Sequence, residues 1–212
     1  MKYTHVIWDF NGTILDDVTV GIESVNVLLR KRGIKEISDI EEYREVFGFP
    51  IVDYYKRIGF DFNKEAFSDV AVEWLNEYIS RVSMAKTNNG VEEVLRRVKE
   101  KALKQVLISA TEINMLKKQL EMLEITHLFD EVYGLDNIHA HNKTAVALLW
   151  REKYPNAKAL FVGDTDHDFE TALAIGADCV LYCGGHQPEK TLSLLGCPVI
   201  HDFSELDEFV WG

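Results

Sequence analysis

One pattern constrains the fold more than any other: short runs of β-branched and aromatic residues, each stopping at a polar residue and followed by a helical stretch. Val6-Ile7-Trp8 stops at Asp9, Val106-Leu107-Ile108 stops at Ser109, and Ala159–Val162 stops at Gly163-Asp164. Phe129–Gly134 and Asp178–Tyr182 read as further strands and Val199–Ile200 as an edge strand. Runs this short and apolar suit strands buried on both faces. Between them, Val91, Val94, Leu95 and Val98, then Ile113, Leu116, Leu120 and Leu123, recur at helical spacing. Helices are also expected at 144–154, 172–177 and 203–211. Strand alternating with helix predicts an α/β fold, a doubly wound parallel sheet with a Rossmann-like core. In such a sheet, ligands sit at the carboxyl ends of the strands. Asp9, Ser109 and Asp164 are all expected at such ends.

The alternation is interrupted once. Val18, Ile22, Val25 and Leu29 mark a helix that Gly33 should end; Glu41–Val46, Val52–Ile58 and Lys64–Val82 read as three more, with no strand among them. Amphipathic helices inserted between two strands predict a helical bundle packing on itself. The expected division is a core of residues 1–16 and 85–212 and an inserted helical-bundle cap domain of residues 17–84. Phe67, Trp74 and Tyr78 read as core of the bundle. The loop Phe47-Gly48-Phe49-Pro50 leaves two readings open, with its aromatics packed inward or walling a binding site.

A chain of 212 residues accommodates one sizeable core and a smaller accessory domain. A formal net charge of −12 opposes long-range approach to nucleic acid or an anionic membrane, so neither is expected as a partner. No apolar run approaches the ~18 residues of a membrane span. Cys179, Cys183 and Cys197 match neither a disulfide framework nor a zinc pattern and read as reduced thiols, which points to the cytoplasm.

Several polar residues carry possible chemistry. Asp9 ends its strand, and Asn11-Gly12 turns the chain sharply just beyond it. Ser109 or Thr111 either caps the following helix or receives a phosphate oxygen beside the helix amides. Lys143 opens a helix, where its charge opposes the helix dipole. Asp164, Asp166 and Asp168 place three carboxylates in five residues. Such a cluster repels itself unless a cation compensates, which makes a metal site the economical reading.

In this order, Asp9-Phe10-Asn11-Gly12-Thr13, Ser109, Lys143 and Gly163-Asp164 with Asp168 resemble the motifs of the haloacid dehalogenase superfamily of phosphatases and phosphotransferases. The cap type and length most resemble its phosphoglycolate phosphatase-like branch. The resemblance implies a nucleophilic Asp9 that forms an aspartyl phosphate, and Mg²⁺ held by Asp9, the Asn11 backbone carbonyl and Asp164, with Asp168 in support. It implies charge neutralisation by Lys143 and Ser109, and a small phosphorylated substrate lying near Gly12, Thr13, Ser109, Ala110, Lys143 and Phe49. A monomer or homodimer is expected.

Position 11 departs from the pattern, since the family places its general acid/base there and this chain has Asn11. His139, His141 and His167 are considered as stand-ins. Three readings follow: a Mg²⁺-dependent phosphatase, slow for want of that acid; a phosphotransferase or long-lived phosphoenzyme; and a phosphate-binding protein without turnover.

Overall fold

The computed structural model describes residues 2–135 and 142–211. Its centre is a six-stranded sheet, every pairing parallel, built from β1 (His5–Trp8), β4 (Lys104–Glu112), β5 (Glu131–Leu135), β6 (Ala159–Gly163), β7 (Asp178–Tyr182) and β8 (Val199–Ile200). The order is β5-β4-β1-β6-β7-β8. The chain therefore steps one way from β1 to β4 and the other way to β6, which puts a topological switch point at the end of β1. A separate antiparallel ribbon pairs β2 (Leu15–Asp16) with β3 (Lys86–Thr87).

Strand alternation explains both buried faces. Val6 and Trp8 point into one apolar cluster, while Ile7 between them points into the other; Leu107 and its neighbours Val106 and Ile108 divide the same way. The first cluster is closed by α5 (Val91–Glu100), α6 (Ile113–Met122) and α10 (Leu206–Trp211). Closing the second are α7 (Lys143–Lys153), α8 (Asp166–Ala174) and the short α9 (Glu189–Leu192). The expected doubly wound α/β architecture is what the chain adopts.

Between β2 and β3 run α1 (Val18–Lys31), α2 (Ile40–Val46), α3 (Ile51–Arg57) and α4 (Phe67–Val82). They share their own cluster, in which Val25, Leu28, Leu29 and Val70 are fully buried under Tyr43, Tyr54 and Tyr55. Arg32 ties α1 to α4 by bonding Glu65 and Glu73. Among the described residues, no helix is long and apolar enough to cross a membrane. All three cysteines are free.

Three element boundaries differ from expectation, and each matters to the site. The helix after β6 starts at Asp166 rather than Ala172, because Thr165 and Asp168 form a reciprocal capping box. The strand carrying Ser109 runs on to Glu112, and Glu112, not Ser109 or Thr111, caps the next helix by accepting from Asn114 N and Met115 N. The inserted bundle's last helix starts at Phe67 rather than Lys64, because a turn between Asp61 and Lys64 precedes it.

β1 is held in register from beneath by one buried amide. Gln105 accepts from Trp8 Nε1 at 3.1 Å and donates to the carbonyls of Leu95 and Leu128 at 2.8 and 2.9 Å. Gln105→Leu would leave the Trp8 indole without its acceptor and take a donor from both carbonyls in an apolar cluster. The expected loss of stability is about 2–4 kcal/mol, each unmet buried group costing roughly 1 kcal/mol or more, and it is measurable by urea denaturation.

Candidate functional site

The parallel register brings the ends of β1, β4 and β6 side by side, Trp8 standing opposite Leu107 on one flank and Val162 on the other. Asp9 leaves β1 at this point, with its amide donating to Val162 O at 2.9 Å. Carboxylate oxygens of Asp9, Asp164 and Asp168 lie within 4.8 Å of one another, and all three residues are buried. Lys143, itself buried, donates to both Asp9 Oδ1 and Asp168 Oδ1. Asp166 lies apart from this group, since it accepts from Gln187 Nε2 at 2.8 Å. The cluster the sequence drew from residues 164–168 is thus completed by Asp9 in place of Asp166.

Burial sets the electrostatics. It drives the Asp9 carboxyl well above the ordinary range, with the Asp168 and Asp164 charges adding to the push and Lys143 opposing it. Burial also raises Asp164, to about 6, against the attraction of His186. Asp168 goes the other way: burial is outweighed by the Lys143 ammonium and by bonds from Thr165 and Asp164 N. Burial disfavours the Lys143 charge too, but its two carboxylate partners more than offset that and hold the ammonium above its usual value.

The donor set suits a hard divalent cation. Asp164 has one bond on each oxygen, from Thr13 Oγ1 at 2.9 Å and from His186 N at 2.7 Å, which leaves lone pairs on both. Asp168 Oδ2 already accepts from Asp164 N, Thr165 N and Thr165 Oγ1, while Lys143 holds its Oδ1. Asp168 therefore fits a supporting part and Asp9 and Asp164 a ligating one. Two glycines let the backbone close in: a Cβ on Gly12 (φ +76°) would stand 2.3 Å from Asp164 Oδ2, and one on Gly185 2.2 Å from it. An oxygen-only site held this tightly, with raised carboxyl groups awaiting positive charge, fits Mg²⁺.

Asn11 is locked in one orientation. Its amide donates to Asp17 Oδ2 at 2.8 Å and to the Tyr78 hydroxyl at 2.9 Å, and its carbonyl accepts from Thr111 Oγ1 at 2.8 Å. Asp17 in turn accepts from Tyr78 OH at 2.6 Å, from Gly12 N at 2.8 Å and from His186 Nε2 at 3.3 Å. Burial works against the Asp17 charge, but the bonds from His186, Tyr78 and Asn11 outweigh it and keep the carboxyl below the ordinary range. For His186, burial is likewise outweighed, and Asp17 raises it to about 9. Tyr43 completes the chain of bonds at His186 Nδ1, 2.8 Å away.

A cavity of about 540 Å³ opens over this group, between the four-helix unit and the sheet. Asp9, Asn11, Ser109, Ala110, Lys143, Asp164 and Asp168 line it, and so does Phe49. The Phe47–Pro50 alternatives resolve as a division of labour. Phe47 packs on Tyr43, Tyr54 and His186, while Phe49, 40% exposed, lies tilted against His167, and both line the cavity. Gly12 and Thr13 are not among the described lining residues. Gly12 N donates to Leu15 O and Asp17, and Thr13 Oγ1 donates to Asp164, which ties both residues into the frame of the site. Ser109 Oγ accepts from Thr111 N at 3.1 Å, and among the described residues its own hydrogen has no acceptor. Of the histidines considered for position 11, His167 lines the cavity; His139 and His141 lie outside the described residues.

Sequence reasoning missed Asp17, His186, Tyr43 and the reach of Tyr78. Tyr78 is core, as its helical spacing implies, yet its hydroxyl ends on Asn11 and Asp17. Soon after β7, Gly184-Gly185-His186 is another turn with a polar residue near a strand end. That repetition was the available signal.

Comparison with known proteins agrees with this geometry. A family model for haloacid dehalogenase-like hydrolases matches residues 6–182, and the chain belongs to that family. It is 29% identical over 186 residues to PpaX of Caldanaerobacter subterraneus subsp. tengcongensis, a pyrophosphatase by assignment, covering 85% of this chain and 81% of that one. With the phosphoglycolate phosphatase of Pseudomonas fluorescens it shares 25% identity over 197 residues, covering 89% of this chain and 72% of that one. In fold it is similar to the haloacid dehalogenase-like family protein SP0104 of Streptococcus pneumoniae, with a TM-score of 0.84 at 17% identity over 98% of both chains.

The bond from Asn11 to Asp17 makes a prediction about the residue the family pattern would place there. In Asn11→Asp, a carboxylate would face that of Asp17 at the 2.8 Å now spanned by a hydrogen bond. Two like charges so close raise one carboxyl strongly and should destabilise the fold by roughly 1–3 kcal/mol. Thermal melts should show a lower Tm for Asn11→Asp and recovery of most of the loss on adding Asp17→Asn.

Proposed function

We propose that this chain is a Mg²⁺-dependent phosphatase that cleaves a small phosphorylated metabolite through an aspartyl phosphate on Asp9. In this reading residues 1–16 and 85–212 form the catalytic core and 17–84 the cap. The observation that carries it is the buried group of Asp9, Asp164, Asp168 and Lys143 facing one cavity from two strand ends and the first turns of α7 and α8. The names of the relatives, a pyrophosphatase and a phosphoglycolate phosphatase, support phosphate as the group acted on.

The residues divide the work. A carboxylate oxygen of Asp9 attacks phosphorus, and the bond from phosphorus to the ester oxygen breaks as the new one forms. Lys143, beside Asp9, and the Ser109 hydroxyl offset charge on the phosphoryl oxygens. Asp9, the Asn11 backbone carbonyl and Asp164 would hold the ion and Asp168 would support it; when bound, Mg²⁺ screens the approach of one anion to another. Water then hydrolyses the acyl phosphate and releases Asp9.

The Asn11 network favours a slow version of this chemistry. Both amide hydrogens are committed to Asp17 and Tyr78, and an amide neither gives nor takes the proton an alkoxide leaving group needs. A positioned acid/base is typically worth ~10²–10⁴ in rate. The aspartyl phosphate should accordingly outlive that of an enzyme with a carboxyl at this position, which links the phosphatase reading to that of a long-lived phosphoenzyme.

Asp9→Ala should abolish phosphoryl transfer in steady-state assays with Mg²⁺, since it removes the attacking atom. Asp164→Ala should weaken Mg²⁺ binding by titration calorimetry, since it removes a ligand. Rapid-quench experiments with a labelled substrate should show a burst and a slowly decaying phosphoenzyme. Full activity in the Asp9 variant would overturn the reading, and failure to form a phosphoenzyme would favour a binding protein.

A further inference from the structure

We propose that Cys183, Glu189 and His201 form a second metal site, one that takes Zn²⁺ or a similar borderline-soft divalent cation and fastens the loop between β7 and α9 at both ends.

The thiol, carboxylate and imidazole donors of these three residues lie within 4.8 Å of one another, and His201 Nε2 stands 3.1 Å from Glu189 Oε2. Ligands of one tetrahedral Zn²⁺, bound at about 2.0–2.3 Å, stand roughly 3.3–3.8 Å apart, so a movement of about an ångström completes the set. Glu189 and His201 are exposed and free to make it.

The backbone brings the three together. β7 and β8 pair in parallel with Tyr182 opposite Ile200, and the ladder continues one step further, Cys183 N donating to Ile200 O at 3.0 Å. Cys183 and His201 are therefore the next two residues in register. The amide of His201 donates to Glu205 Oε1 at 2.9 Å, which fixes the chain at that point. Glu189 opens α9, and Leu192, fully buried in the second apolar cluster, pins that turn against the sheet.

The donor set decides the metal. One thiolate, one imidazole and one carboxylate match Zn²⁺, which accepts all three and leaves its fourth position to water. Mg²⁺ prefers oxygen alone, so the hard cation belongs with Asp9 and Asp164 and the softer one with Cys183. Without the thiol, His201 and Glu189 would be an exposed ion pair of little worth. Cys183, half-buried beside them, turns the pair into a chelating set.

The loop this site closes is one on which the inserted helices rest. Between Cys183 and Glu189, the carbonyls of Gly184 and Gly185 accept from Arg44, and His186 meets Tyr43 and Asp17. His186 N bonds Asp164, and Gln187 Nε2 donates to Asp166 at 2.8 Å. A metal that joins Cys183 to Glu189 restricts this segment without touching substrate, as any clip across a loop does.

Cobalt(II) is the probe, because it enters zinc sites and a bond from sulfur to Co²⁺ gives near-ultraviolet charge-transfer absorption that an oxygen-only site lacks. With the full chain and excess Mg²⁺, titration with Co²⁺ should produce that band, and Zn²⁺ should displace it. The band should vanish in Cys183→Ser and persist in Cys197→Ser. His201→Ala and Glu189→Gln should weaken Co²⁺ binding by about a hundredfold or more, since loss of a ligand costs at least as much as loss of an outer partner. No band in the wild type, a band that survives Cys183→Ser, its loss in Cys197→Ser, or an affinity untouched by His201→Ala and Glu189→Gln would overturn the proposal. For the loop, Zn²⁺ should slow hydrogen exchange at the amides of residues 184–187 by about tenfold in the wild type and leave it unchanged in Cys183→Ser. Equal slowing in both would overturn the clip, as would none in either. These readouts are of binding and local opening, so they stand whether or not the chain turns over phosphate.

Discussion

Three carboxylates buried around one ammonium are the constraint on which the rest of the site depends. Asp9, Asp164 and Asp168 carry more negative charge than Lys143 cancels, and taking charge out of water is costly unless it is paired and hydrogen-bonded. The surroundings follow from that cost. Thr165 and the amides at the start of α8 neutralise Asp168, Thr13 and the His186 amide bond Asp164, and Gly12 and Gly185 let the backbone approach closely enough to do so. What remains uncompensated lies on Asp9 and Asp164, whose carboxyl groups burial pushes upward. A divalent cation is the ligand that would reverse that shift.

A second polar network joins the inserted helices to this centre. Tyr43 from α2 and Tyr78 from α4 meet His186, Asp17 and Asn11, and Arg44 reaches the carbonyls of Gly184 and Gly185. The amide at position 11 is suited to its setting. Asp17, an anion held below the ordinary carboxylate range, needs donors, and Asn11 supplies one where a carboxylate would repel. The amide at position 11 and the buried Asp17 are thus two halves of one arrangement.

Much of the fold was legible because the sheet is buried on both sides. Val6-Ile7-Trp8 and Val106-Leu107-Ile108 have to be apolar throughout, so the runs show themselves without alternation. The helical insertion was equally plain, since Val18, Ile22, Val25 and Leu29 recur at helical spacing on one face of α1. The polar residues that break off the apolar runs of β1, β4 and β6 marked Asp9, Ser109 and Asp164, and the odd placement of Lys143 at a helix start marked the ammonium. Local capping was harder to read, because β4 runs past Ser109 and Thr111 to Glu112, so the residue that meets the helix amides depends on where the strand ends.

By itself the sequence determined the elements, the class of fold and the identity of the chemically armed residues, because hydrophobic periodicity and strand-end polarity are local properties of the chain. Only the tertiary structure decided which charges share a site. Asp9 and Asp168, 159 positions apart in the chain, meet one ammonium only because parallel register aligns β1 with β6. Tyr78 and His186 become partners of Asn11 and Asp17 only once the helices fold over the sheet. The aromatic wall of the cavity was decided there too, since periodicity shows that a ring is turned inward but not whether a protein core or a ligand lies on its other side.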